Sequence, residues 1–227
     1  MTPELLRLTD YDLEGLEDGH GLSNLNLVLS GGDVFSVSTD SFSDAHLLLK
    51  GIATLEYPKQ GQLFFEGKEL DFSDHEKLLS YKKNVGYIGA DAALISNRSA
   101  HDNLMFMHHY FQDSTATKMS EDVMRLCRLF ELEHRIHRRP TQLDAEEIRL
   151  FVIIRELSKS PKILVMERPF SSLRAKSTET LKSVLRNWPR KDLVIVFHSD
   201  DSAFACDFCN KQILIDSGKL TCLPMVT

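Results

Sequence analysis

This sequence has no excess of positive charge: Lys and Arg number 27 against 33 Asp and Glu, for a formal net charge of −6. Without a basic footprint, neither nucleic acid nor an anionic membrane surface is expected as a direct partner. No apolar run approaches the length of a membrane span, and Met1-Thr2-Pro3-Glu4 lacks the basic and apolar regions of a signal peptide, so the expected location is the cytoplasm. Cysteine is scarce, with Cys127, Cys206, Cys209 and Cys222 alone. The one Cys-x-x-Cys pair has no second pair at zinc-site spacing, so buried reduced thiols are expected rather than metal or redox chemistry. Internal repeats, linkers and low-complexity tracts are absent too. What is present is a 42% hydrophobic chain of 227 residues, ordinary for a soluble globular protein and long enough for one large domain or a core with a smaller lobe.

A more local absence sits in the stretch from Gly32 to Leu49. Val34-Phe35-Ser36-Val37 reads as a buried strand, Thr39 to Ser43 as a polar turn, and Ala45 to Leu49 as an apolar helix start. That is the layout of a phosphate-binding loop. Such a loop needs glycine at its first and sixth positions, lysine at the seventh and a hydroxyl at the eighth, so that backbone N–H groups and an ammonium surround phosphate while the hydroxyl holds Mg²⁺. Thr39, Asp44, Ala45 and His46 stand there instead. Asp40 and Asp44 would each oppose a triphosphate by about 1–4 kcal/mol at contact range, depending on the local dielectric.

Residues 4–30 alternate apolar and polar positions through Leu6, Leu8, Leu25, Leu27 and Leu29, with a turn around Glu17-Asp18-Gly19-His20-Gly21, and read as an antiparallel pair. A helix over 47–54 is closed by Pro58 and Gly61, residues 62–66 with Gly67 form a second hairpin element, and residues 85–88 form a buried strand. From Asp102 to Leu157 the pattern is helical, over 103–111, 120–130 and 145–159. The last helix opens on a capping box of Asp144 and Glu147. Continuous apolar runs at 162–166 and 193–197 flank a helix over 175–188, a short helix covers 204–208, and a strand and turn at 213–220 finish the chain. Strands alternating with helices predict an α/β fold with a parallel sheet covered on both faces.

The order of these stretches resembles the ATP-binding cassette of ABC transporters along nearly the whole chain. Leu22 to Leu27 ahead of Gly32-Asp33 is similar to the family's lead-in to its P-loop, and Gly61 to Gly67 to the hairpin that follows. Val85 to Asp91, with Leu94 and Asp102-Asn103-Leu104, is similar to the Q-loop region. Gln142-Leu143, Arg155-Glu156-Leu157 and Pro161 to Leu173 track the signature helix, Walker B strand and D-loop, and His198 falls at the switch histidine. The resemblance implies a P-loop NTPase-like (RecA-like) parallel core with an N-terminal antiparallel β subdomain and a helical insert. In that scheme 1–227 is a single cassette-like domain: 1–90 and 158–227 form the core and β subdomain, and 91–157 the helical subdomain with the signature region.

The departures bear on activity. The Q-loop glutamine is matched by Ala90, the signature serine and glycines by Asp144-Ala145-Glu146, the Walker B aspartate by Glu167, the general-base glutamate by Arg168, the D-loop aspartate by Arg174, and the adenine-stacking aromatic by Gly15 or Leu16. An arginine accepts no proton at physiological pH, and acids at a helix start cover the positive dipole end that would hold a γ-phosphate. Only His198 is unaltered, and a histidine after a buried strand is expected to be a hydrogen-bonded structural residue. Glu167 is expected in an ion pair with Arg168 or solvated, rather than on a cation. His46 and His198 lack a third metal ligand. His101, His108 and His109 are expected at the surface, and Asp144, Glu146 and Glu147 as a helix cap. The resulting expectation is a cassette-fold pseudoenzyme. It would be a cytoplasmic, structural or regulatory subunit working with an ABC-type permease and with a second cassette or itself. The family's ATP and Mg²⁺ are not expected here. The alternatives are a weakly ATP-binding subunit that hydrolyses in a heterodimer, and a soluble interaction protein. Asp102-Asn103-Leu104 and Pro169 to Leu173 look most like importer and lipid-transport cassettes.

Overall fold

Strand β1 (Glu4–Leu13) pairs antiparallel with β2 (Leu22–Ser30), bringing Leu8 opposite Leu27 and Tyr11 opposite Leu25. These are the inward residues of the alternating pattern. The structure, a computed structural model, describes residues 3–15, 21–112, 119–188 and 191–224, with backbone alone for 107–112. The turn predicted around 17–20, the Leu16 alternative and the side chains of His108 and His109 lie outside the described residues.

After β3 (Val34–Thr39) comes helix α1 (Phe42–Ile52), which starts five residues before the predicted position and buries Ala45, Leu47, Leu48, Leu49 and Ile52. It stops where Thr54 takes a left-handed φ of 54°. Strand β4 (Gln60–Phe65) joins β1 on the edge opposite β2 and turns into the short β5 (Lys68–Glu69). At its start Gly61, with φ of 91°, leaves no room for a side chain against the Asp10 carbonyl.

Helix α2 (His75–Lys83) had no counterpart in the sequence pattern; Asp74 caps it by accepting from the N–H groups of Glu76 and Lys77 at 3.1 Å. Strand β6 (Val85–Ile88) follows. Next come α3 (Ala100–Gln112), α4 (Glu121–Leu129) and α5 (Ala145–Ser158). Then follow β7 (Ile163–Glu167), α6 (Ala175–Arg186), β8 (Val194–His198), α7 (Ser202–Phe208), β9 (Lys211–Asp216) and β10 (Lys219–Pro224).

The described residues fall into two compact units. One takes residues within 1–89, 162–169 and 190–227 and contains both sheets. Its four-stranded sheet runs β2-β1-β4-β5, and its six-stranded sheet runs β10-β9-β3-β8-β7-β6, parallel from β9 to β6 with β10 antiparallel at the edge. All five residues of β7 are buried, as a central parallel strand demands. The other unit, within 90–161 and 170–189, holds α3 to α6, with α5 packed on α3 and α4. The thiols divide: Cys127 and Cys209 are buried, whereas Cys206 and Cys222 are exposed, so the expectation of buried cysteines holds for two of the four. Among the described residues no helix is long and apolar enough to cross a membrane.

Candidate functional site

The first unit's parallel strands end side by side. β3 runs out at Thr39, β7 at Glu167 and β8 at His198, and Glu167 faces His198 directly in the β7–β8 register. Ligands of open α/β sheets bind at this carboxyl edge, and the residues aligned with the P-loop, Walker B strand and switch histidine gather there.

Glu167 is fully buried, which overturns the expectation of a solvated carboxylate. Its Oε1 lies 2.8 Å from His46 Nδ1 and accepts the Tyr87 hydroxyl at 3.0 Å. A carboxylate accepting from both neighbours fixes a proton on His46 Nδ1. Arg168 turns elsewhere: its guanidinium lies 4.4 Å from the centre of the Phe42 ring, and its Nε is 3.1 Å from Asp200. That aim follows from a left-handed φ of 41° at Arg168, whose N–H donates to the His198 carbonyl at 2.8 Å.

Phe42 joins the rest. Its ring stacks on His46 at 5.9 Å between centroids and tilts against His198 at 5.8 Å, with the Arg168 guanidinium over it. His198 is pinned through Nδ1, 3.1 Å from the Val37 carbonyl, which can only accept. Thr39 closes the turn by accepting the Ser41 N–H at 3.1 Å. Asp44 and Ala45 are buried in the first turn of α1, so the seventh loop position presents a methyl group where an ammonium would stand. Phe42, Tyr87 and Asp200 carried no signal in the sequence as site residues; the local pattern marked Tyr87 only as part of a strand. Among the described residues no three His, Cys, Asp or Glu side chains are grouped to hold a metal ion.

The positions aligned with the signature lie in the helical unit. Asp144 and Glu147 form the capping box, at 2.8 and 2.9 Å, that the spacing predicts. Their further partners are arginines. Glu147 pairs with Arg135 at 2.8 Å and Asp144 with Arg174 at 3.0 Å. Glu146 is buried rather than a free capping acid; it accepts the Arg174 backbone N–H at 2.7 Å and also pairs with its guanidinium. The Glu147 backbone N–H, with Arg174 beside it, holds the Asp144 carboxyl below its usual range. Ala145 is exposed at the helix start, and Ala90 is exposed in the turn after β6.

Comparison with known proteins agrees with this architecture. The sequence pattern of the ABC transporter family matches residues 46–171. The sulfate/thiosulfate import ATP-binding protein CysA of Mesostigma viride is 26% identical over 200 residues, 88% of this chain and 56% of that protein. The methionine import ATP-binding protein MetN of Helicobacter pylori is 28% identical over 202 residues, 88% of this chain and 62% of that protein. The chain thus spans about three fifths of the length of these curated relatives. Among solved structures, a dimeric ATP-binding cassette in a post-hydrolysis state with ADP and Pi superposes with a TM-score of 0.84 at 19% identity, covering 98% of this chain and 100% of that one. The ATP-binding subunit of an ABC transporter gives 0.83 at 18% identity, covering 97% and 90%. With the pattern matched over more than half its length on a fold of this kind, the chain belongs to the ABC transporter family.

Proposed function

We propose that this chain is a cassette subunit of a transport system in which the nucleotide site serves as architecture rather than as a catalyst. It works with a membrane permease and a second cassette, its own copy or another. The core and β subdomain of 1–90 and 158–227 and the helical residues 91–157 are its two functional lobes. The import ATP-binding proteins among its relatives make import the direction of transport to test first.

The observation that carries this reading is the bond between His46 and Glu167 at 2.8 Å. In the family scheme these two positions share a Mg²⁺ ion; here they hold each other. Mg-ATP does not fit the surrounding groups either. Ala45 supplies no ammonium, Asp44 adds an acid, Phe42 lies between the two histidines and the guanidinium, and Arg168 replaces the proton acceptor. Phosphoryl transfer depends on preorganised positive charge around the moving group. The guanidinium that replaces the proton acceptor, that of Arg168, is engaged with Asp200 and Phe42.

Calorimetric titration of the purified chain with Mg-ATP, run with a phosphate-release assay, tests the proposal. No saturable heat and no phosphate are expected. Micromolar binding with turnover would overturn it. Affinity capture from the native membrane tests the transport role, and an eluate without any multi-span membrane protein would remove it.

A further inference from the structure

In a chain of net charge −6, the six residues 134–139 run His-Arg-Ile-His-Arg-Arg. The fold gathers more of the same kind around them. The first two N–H groups of α3 are tied to this segment, Ala100 donating to the Arg138 carbonyl at 2.8 Å and His101 to the Ile136 carbonyl at 2.6 Å. The His101 ring stacks on His137 with centroids 5.8 Å apart. Arg98, exposed, stands two residues ahead of the α3 turn that is tied to Arg138, its N–H donating to the carbonyl of Ile95, an exposed apolar residue. Arg135 is taken by Glu147 at 2.8 Å. The other three guanidinium groups, of Arg98, Arg138 and Arg139, make no ion pair among the described residues. Two acids neighbour them in the chain: exposed Glu133, just ahead of the run, and Asp102, engaged by the Ser99 N–H at 3.2 Å and His101 Nδ1 at 3.5 Å.

From this we infer that the surface formed by Arg98, Arg138 and Arg139, with Ile95 at its edge, is a docking site for a short acidic segment of a partner protein. Three uncommitted guanidinium groups on a scaffold fixed by backbone hydrogen bonds suit carboxylates, which they grip bidentately, and an exposed isoleucine suits an apolar residue among the acids. The chain's net charge of −6 disfavours an extended anionic membrane or nucleic acid strand. A short acidic peptide can meet the three guanidinium groups without bringing an extended anionic surface of its own. This site lies wholly within the helical unit and does not depend on the reading of the nucleotide site.

The test is fluorescence anisotropy of the full chain with a short fluorescein-labelled peptide of glutamate and leucine. Binding is expected to be saturable and to weaken with added salt. Arg98→Glu/Arg138→Glu/Arg139→Glu is expected to weaken it about tenfold or more. Reversing the same number of exposed charges elsewhere, Lys68→Glu/Arg186→Glu/Lys219→Glu, is expected to leave it within about twofold. Should the triple patch variant fail to give a native melting transition, Arg98→Gln/Arg139→Gln carries the same comparison. Equal losses in the patch and control variants would overturn the inference. So would tighter binding to phosphatidylserine vesicles or oligo-dT than to the peptide.

Discussion

His46 and Glu167 stand 121 positions apart in the chain, and neither carries a local sign of the other. What joins them is register: β7 delivers Glu167 to the carboxyl edge just as α1 begins its first turn beside it. The sequence marked both positions as altered and could not tell that one alteration answers the other. Phe42 shows the same limit, since an aromatic in a polar turn reads as an accident until two histidines and an arginine are found against it. The pair gives a direct prediction. His46→Ala leaves a fully buried carboxylate with one donor fewer and is expected to cost about 1–3 kcal/mol. Asn at this position can aim its amide N–H where Nδ1 lies, so His46→Asn is expected to recover part of that loss. Urea denaturation reads both, as a shift in midpoint at unchanged slope. An alanine variant as stable as the parent would mean that Glu167 is held by its other neighbours.

Helix α5 was legible because its signals are local. Asp144 three residues before Glu147 and an apolar stripe from Ile148 to Leu157 need no partner to be read. Helix α2 was missed because it is short and buries only Leu78 and Tyr81, too little periodicity to stand out beside its Asp74 cap. Arg174 could not be foreseen at the start of α5, since it reaches there from 30 positions away. The cap makes α5 sensitive to acid in a defined direction. The Asp144 carboxyl is held below its unfolded value of 3.8, first by the Glu147 N–H, so its contribution is complete above that value and is lost as pH falls through the lower folded pKa. Asp144→Ala is expected to cost about 0.5–2 kcal/mol at neutral pH. Asp144→Asn keeps an acceptor for the cap and removes the titration. Parent and Asn variant should therefore differ most above pH 4 and converge below it in acid titrations followed by circular dichroism. A constant offset across that range would show that the charge on Asp144 plays no part.

At the scale of the molecule, the alternation of apolar runs with helices carried the parallel sheet and its N-terminal antiparallel companion, because each strand advertises its burial in its own residues. Which side chains meet at the ends of those strands is a property of the assembled sheet, and it bears on whether the proposed loss of nucleotide binding lies in one residue or in the whole edge. If it lay in the missing ammonium alone, Ala45→Lys would restore binding. A charge placed at that fully buried position, beside a site whose carboxylate is already satisfied by His46 and Tyr87, is instead expected to destabilise the fold. Reversal has to be collective: Thr39→Gly, Phe42→Ser, Asp44→Gly, Ala45→Lys and His46→Ser to empty and recharge the loop, with Arg168→Glu to clear the guanidinium. Thermal shift with and without Mg-ATP measures the outcome, since ligand at about 100 times its Kd adds about 2.7 kcal/mol of stability. The expected pattern is no shift for the parent, a lowered melting temperature without a nucleotide shift for Ala45→Lys, and a nucleotide-dependent rise for the combined variant. A rise in the parent itself would mean that Phe42 and His46 yield to the nucleotide, and the site would then be a working one with unusual residues.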